Sequence, residues 1–323
     1  TLNRIDVLES THFAALREAE ASHNRPLHLG LLTNQSGLDS RGHRTVDILF
    51  NDAAKAVPGL QLTTLFSPEH GLFGVKDTTK IPNSTDPDTH LPIISLYGAK
   101  PEQRHPRPED LANLDAVVID LQDAGVRFYT YDTCMGYFLE AAAHEQALGH
   151  NLEIIVLDRP DPIGGTQVQG PVSDPGSESY INYMPIPVRP GLTIGELARY
   201  FNSERLVPTA SNPNIQTHIK ADLTVVQMEN WRRADYFDST RLPWTNPSPN
   251  LRTLDAATLY PGLGFLDATN VSVGRGTDRP FEQIGATYID SAQLTAYLTA
   301  RHIPGVSFAP TSFKVEENSN HYP

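Results

Sequence analysis

The sequence predicts an α/β protein: a Rossmann-like parallel sheet with helices on both faces, plus a smaller α+β second domain. Two observations in the first half carry this. Short apolar runs alternate with helically spaced segments, the order of a parallel sheet with crossover helices. The apolar runs are also nearly continuous rather than alternating with polar residues, as in strands buried on both faces.

Residues 29–33 read as a short buried strand. Residues 45–57 carry helical spacing at Val46, Leu49, Phe50, Ala53, Ala54 and Val57, and Pro58-Gly59 stops them. Strands are expected at 60–66, 92–97, 116–119 and 152–157. A short helix starts at Pro108 with acids in its first turn, and the longest helix runs over 131–148, ended by Gly149. In the second half, Thr193 and Glu196 form a capping-box pattern opening a helix over 193–204. A strand is expected over 221–228 and a helix over 290–301. Between them, 231–286 is long, poorly periodic and rich in Pro, Asn, Gly and Arg, and segments of that kind are usually functional. Pro and Gly grow dense over 160–190, which places the expected division there: a Rossmann-like domain over 1–170 and a smaller α+β domain over 171–323 that completes a cleft.

Composition removes several classes. The 323 residues carry 25 Lys plus Arg against 38 Asp plus Glu, a net charge of −13, with one cysteine, Cys134. One cysteine makes no intrachain disulfide. An acidic chain repels phosphate, so nucleic acid is not an expected partner. No apolar run reaches the length of a membrane span. The chain begins at Thr1 without Met or a charged-then-apolar leader, which reads as a removed signal peptide or a trimmed start, and the C-terminal end reads as incomplete.

Chemistry appears in the residues just past each strand, because open α/β sheets bind ligands outside the carboxyl ends of their strands. Asn34, Gln35 and Ser36 come after the first strand; Ser67, Glu69 and His70 after the second; Asp120, Gln122, Asp123 and Arg127 after the fourth; Asp158, Arg159 and Asp161 after the fifth. No dinucleotide or triphosphate glycine motif is present, no His-Glu-x-x-His and no Gly-x-Ser-x-Gly elbow, so no cofactor and no metal is expected.

Glu69 is the strongest catalytic candidate: a carboxyl at the mouth of a sheet beside apolar walls suits a general acid. Asp120 and Asp123 are candidates for a second carboxylate, although Asp120 could serve the turn and Asp123 could pair with Arg127. Asp158-Arg159 reads as an internal ion pair. His70 is placed to orient Glu69 or bind substrate. Tyr129 and Tyr131 alternate with Thr130 and form either a sugar-stacking wall or core. Asn246, Ser248 and Asn250, spaced by two around prolines, would point one way from an extended segment and suit a hydroxyl-rich ligand. Asn270, Arg275, Arg279 and Glu282 form another polar set, whose arginines suit a carboxylate.

These segments resemble a known family. They are 30–37 (GLLTNQSG), 66–72 (FSPEHGL), 119–131 (IDLQDAGVRFYTY), 157–160 (LDRP), 189–198 (RPGLTIGELA), 247–250 (PSPN) and 262–282 with TNVS and GRGT. In this order, over 30–313, they are similar to the NamZ-type exo-β-N-acetylmuramidases. The resemblance implies a Rossmann-like domain beside a smaller one, with the site in the cleft between. It implies release of N-acetylmuramic acid from non-reducing ends of peptidoglycan fragments by an exported, secreted or periplasmic, bacterial protein. It carries the catalytic role onto Glu69. Asp120 or Asp123 would then be nucleophile, base or acetamido orienter, and Arg127, Arg275 or Arg279 would meet the lactyl carboxylate. Asn34, Gln122 and Tyr129 join the expected substrate-binding set. The competing readings are a non-catalytic cell-wall or carbohydrate-binding protein, and a metal-dependent hydrolase using Asp120, Asp123 and His70.

Overall fold

The computed structural model describes residues 1–315 apart from 3, 24 and 79. The chain forms two compact units, Thr1–Pro249 and Asn250–Pro323.

The first unit is built on a seven-stranded sheet. Its strands are β1 (His28–Thr33), β2 (Gln61–Ser67), β3 (Ser84–Thr85), β4 (Pro92–Ser95), β5 (Ala116–Asp120), β6 (Glu153–Leu157) and, further on, β11 (Leu223–Val226). The spatial order is β11-β6-β5-β1-β2-β4-β3. All neighbours pair in parallel except the short edge strand β3, which is antiparallel to β4. Counting only the parallel strands, the order is 3-2-1-4-5-6, that of doubly wound sheets. The connection reverses direction at β1, between β2 on one side and β5 on the other, and a crevice opens at such a point.

Both faces are covered, as the continuous apolar strands require. Leu29, Leu31, Ala116, Val118, Ile155 and Leu157 point to one face. There they meet Ile5 and Leu8 of α1 (Arg4–Ser10), Leu16 of α2 (Ala14–His23), and Val46, Leu49 and Val57. On the other face Phe66 meets Phe138 edge-on, centroids 5.1 Å apart. Phe138 belongs to the long helix Tyr131–Ala147, which packs on β6 and on the helix Ile194–Glu204. The capping box of that second helix forms: Thr193 Oγ1 accepts from the Glu196 N–H at 3.2 Å, and Glu196 Oε2 from the Thr193 N–H at 3.0 Å.

The division expected after residue 170 falls inside the first unit. The reason is β11: Leu223 to Val226 pair with Ile154 to Leu157 and complete the same sheet. Two hairpins ride on this segment, β7 (Gln169–Val172) with β8 (Pro187–Arg189), and β9 (Leu206–Thr209) with β10 (Asn212–His218). The expected helix over 45–57 also differs, since Ile48–Ala53 is wound as a π-helix. Ile48 is buried and Phe50 is 38% exposed, against the 3.6-residue spacing.

The second unit holds the helices Leu254–Leu263 and Ser291–Thr299, the first within the stretch expected to be irregular. Phe281 is buried here, with the Tyr260 ring edge-on at 4.7 Å.

Candidate active site

The strand ends of the first unit converge as the topology requires. Asn34 Oδ1 accepts from the Ser36 N–H at 2.9 Å and from its hydroxyl at 2.6 Å. Ser36 Oγ accepts from the Gln122 N–H at 3.0 Å, and Gln122 Nε2 donates to the carbonyls of Asp123 and Pro160, both at 2.9 Å. Asn34 and Gln122 thus lace three loops together, and both are buried.

Asp120 has no exposed surface. One oxygen pairs with Arg159 Nε at 2.6 Å and the other accepts the Thr45 hydroxyl. A carboxylate with both oxygens engaged and no solvent access holds the sheet end together. Asp158 and Arg159 do not pair with each other as expected. Asp158 Oδ1 accepts the Gly195 N–H at 2.9 Å and so caps the helix Ile194–Glu204.

Glu69 is different. Pro68 ends β2, then His70 and Gly71 adopt φ of 71° and 76°, a left-handed pair that turns the chain back. The Gly71 N–H closes the turn on Pro68 O at 3.0 Å. Glu69 is left half-buried at the strand's carboxyl end. Thr130, at the start of the long helix, donates its hydroxyl to Glu69 Oε2 at 2.8 Å. Burial, reinforced by the Glu69 charge, pushes up the phenols of Tyr97, Tyr131 and Tyr180 and the thiol of Cys134. The carboxylate therefore stands among aromatic walls. The Arg104 guanidinium lies 4.6 Å from the Tyr180 ring and 5.7 Å from Tyr97, with its Nε on Gly98 O at 3.1 Å. His70, adjacent in sequence, turns its Nδ1–H to Lys76 O at 2.8 Å and serves the loop.

Thr130, Tyr97, Tyr180 and Arg104 were not singled out from the sequence. Tyr97 and Arg104 lie beyond β4, whose loop sits beside that of β2 because the two strands pair. That adjacency is topological and has no local motif. Tyr129 and Tyr131, by contrast, are core: both are buried, their rings meet edge-on at 4.8 Å, and the Tyr131 hydroxyl donates to Pro247 O at 2.6 Å.

Asp123 is buried and joins two carboxyls that no sequence motif links to it. Its Oδ2 accepts the Gly125 N–H at 2.8 Å, while Oδ1 has no partner among the described residues. Burial pushes Asp123 up to about 7 against those backbone N–H bonds. Asp161, whose Oδ1 accepts the Ile163 N–H at 3.0 Å, is also pushed up to about 7 by burial, with Asp123 adding to it. Asp132 is raised well above the usual range by burial and by Asp123. Gly125 has no side chain because a Cβ there would run into the Asp161 carboxyl.

The expected arginines are occupied. Arg127 is buried and donates to the carbonyls of Pro171 and Ile186, and burial lowers its pKa. In the second unit Arg275 is bidentate on Asp267, with Nη2 at 2.7 Å from Oδ2, and sits 5.0 Å from the Phe281 ring. Arg279 pairs with Glu282 at 2.9 Å, Thr253 donates to Glu282 at 2.5 Å, and Tyr288 donates to Asn270 Oδ1 at 2.8 Å. The segment 246–250 bends rather than extends: Asn246 is exposed, whereas Ser248 and Asn250 are buried. Asp120, Asp123 and His70 do not form a ligand set. Among the described residues, the acids close enough to share an ion are Asp6, Glu9 and Asp39, and Arg41 already bridges Glu9 and Asp39.

The site is thus a half-buried glutamate among tyrosines at a strand end of a doubly wound sheet. The chain belongs to the exo-β-N-acetylmuramidase NamZ family, whose N-terminal region matches residues 29–255 and whose C-terminal region matches 258–322. The peptidoglycan β-N-acetylmuramidase NamZ of Bacillus subtilis (strain 168) is 42% identical over 286 residues, 88% of this chain. The chain spans 63% of that protein's length. A crystal structure of a DUF1343 family protein from Bacteroides fragilis superposes with a TM-score of 0.80 at 35% identity, covering 97% of this chain and 72% of that one. A second one from the same organism gives 0.65 at 31% identity, over 85% and 65%.

Proposed function

We propose that this protein is a glycoside hydrolase that releases N-acetylmuramic acid from the non-reducing end of peptidoglycan fragments, with Glu69 as general acid. The observation that carries the reading is Glu69 itself, half-buried at the end of β2 and oriented by the Thr130 hydroxyl at 2.8 Å. A family member named for this activity supports it. Glu69 delivers its proton to the glycosidic oxygen as the bond to the leaving sugar breaks. Thr130 holds one carboxyl oxygen so that the other faces the substrate.

The second group is best supplied by the substrate. Asp120 is locked to Arg159 and Thr45, and Asp123 is buried. A sugar with a 2-acetamido group brings its own nucleophile, one of the exceptions to the two-carboxylate rule. With Arg127 spent on carbonyls, Arg104 over Tyr97 and Tyr180 is the cation we assign to the lactyl carboxylate. The reading places the protein where such fragments occur, as a secreted or periplasmic protein. Among the described residues no helix is long and apolar enough to cross a membrane.

The test is Glu69→Gln on the disaccharide N-acetylmuramyl-N-acetylglucosamine, whose sugar leaving group needs the proton. Loss of general acid catalysis lowers kcat by roughly 10²- to 10⁴-fold with the melting temperature held. Full activity in the variant overturns the assignment.

A further inference from the structure

A hollow of about 340 Å³ lies in the first unit between the segment just before β3, the end of β4 and the turn beyond it. Tyr97, whose phenol is pushed up by burial and by the nearby Glu69 charge, forms part of its wall. Its other lining includes Asn83, Gln103 and His105, with Glu102 and the Arg107–Asp110 ion pair at its edge.

These three polar side chains share one arrangement. Asn83 Oδ1 accepts the Ser95 N–H at 2.9 Å, which leaves its NH₂ unused. Gln103 Oε1 accepts the Lys100 N–H at 3.0 Å, which does the same. His105 Nδ1 faces Pro101 O at 3.0 Å and must donate to it, so in the neutral ring Nε2 is the acceptor. The His105 ring is further held by stacking on Tyr137, centroids 3.7 Å apart. Each side chain is thus anchored to backbone or ring at one end and offers the other: two amide donor groups and one acceptor beside an aromatic wall. Anchoring removes the rotamer cost of binding in advance. A mixed set of donors and an acceptor around a tyrosine ring fits a pyranose, which has hydroxyls at its rim and C–H groups on its faces, better than an anion or an apolar ligand.

The direction of the substrate is set by openness. An enzyme acting at chain ends must enclose the terminal sugar and leave the rest free to run out. Asn83 and Gln103 are exposed, so the hollow is an open end. We infer that the hollow lined by Tyr97, Asn83, Gln103 and His105 is the subsite for the leaving-group amino sugar, the residue beyond the cleaved bond. The inference rests on the glycosidase reading of Glu69.

The test compares two substrates on the full chain: an aryl N-acetylmuramic acid glycoside, which has no second sugar, and the disaccharide N-acetylmuramyl-N-acetylglucosamine. In the double variant Asn83→Ala/Gln103→Ala, loss of two hydrogen bonds lowers kcat/KM on the disaccharide roughly tenfold more than on the aryl glycoside. Equal losses on both substrates, or none on the disaccharide, overturn the subsite. A second measurement is independent of turnover. N,N′-diacetylchitobiose titrated into wild type binds, and the double variant weakens that binding roughly tenfold. No chitobiose binding by wild type, or equal binding by the variant, also overturns it. If wild type cleaves neither glycoside, the glycosidase reading fails, and the chitobiose titration still decides the hollow.

Discussion

Replacing Asp161 by Asn removes a buried ionisable group while keeping its bond to the Ile163 N–H, since Oδ1 remains an acceptor. The magnitude comes from linkage. Asp161 titrates at about 7 in the folded protein against an ordinary value of 3.8. Between these values the native state holds a proton that the unfolded chain has released, so stability falls as pH rises through the interval. The contribution is greatest below the unfolded value and is lost progressively until pH passes the folded one. The slope is about 1.4 kcal/mol per pH unit. From pH 5.5 to 7 this comes to about 2 kcal/mol, with little further change up to pH 8. The Asn variant lacks the term, so wild type minus variant declines by that amount on going from pH 5.5 to 8. In a domain of this size that is a relative melting-temperature shift of roughly 4 to 8 °C. The assay is a set of thermal melts of both proteins across this range at fixed ionic strength. Parallel curves, or a wild type that gains on the variant as pH rises, refute the buried-acid argument.

Two further substitutions separate holding from catalysis. Asp120→Ala leaves the Arg159 guanidinium buried without its partner, and should cost about 3–5 kcal/mol in urea unfolding. A variant of native stability that is merely inactive would return Asp120 to the catalytic set. Thr130→Val removes the donor to Glu69 and should lower kcat roughly tenfold, by loss of a charge-assisted bond, with KM little changed. Thr130→Ser keeps the hydroxyl and should recover most of the rate, and a Ser variant as slow as Val would show that the methyl group, not the bond, matters.

Much of the sheet was legible in the sequence because it is encoded locally. Residues 29–33, 116–119 and 152–157 are continuous apolar runs, and β1, β5 and β6 lie on them within a residue or two. The Thr193–Glu196 capping box is a four-residue signal, and it forms. The turn that carries Glu69 was legible for the same reason: Pro68 before it and Gly71 after it mark a turn at a strand end. What escaped depends on partners far along the chain. Arg159 meets Asp120 across 39 residues, and Thr130 meets Glu69 across 61. The arginines of the second half looked available because Asp267 and Glu282, which occupy Arg275 and Arg279, show no motif that marks them as partners. Strand β11 was expected, but only pairing with β6 reveals that 171–249 belongs to the first unit.

The net charge of −13 would make the proposed anionic sugar an awkward substrate, and the first unit carries two features that lessen the difficulty. One is Arg104, a cation held over two of the tyrosines that surround Glu69. The other is protonation. Asp123 and Asp161 are held near 7 and burial raises Asp132 well above the usual carboxylate range, so a formal count that ionises every acid overstates the charge of this region at neutral pH. Asp132 lies in the first turn of the helix that Thr130 opens, so an acid whose anion burial disfavours is built next to the residue that orients Glu69. Unscreened by water, an ionised carboxylate there would oppose a bound lactyl carboxylate by about 1–2 kcal/mol at 10 Å and an effective dielectric of 20. Burying these acids thus removes repulsion where an anionic sugar would bind, at a cost in stability that appears as the pH rises toward 7.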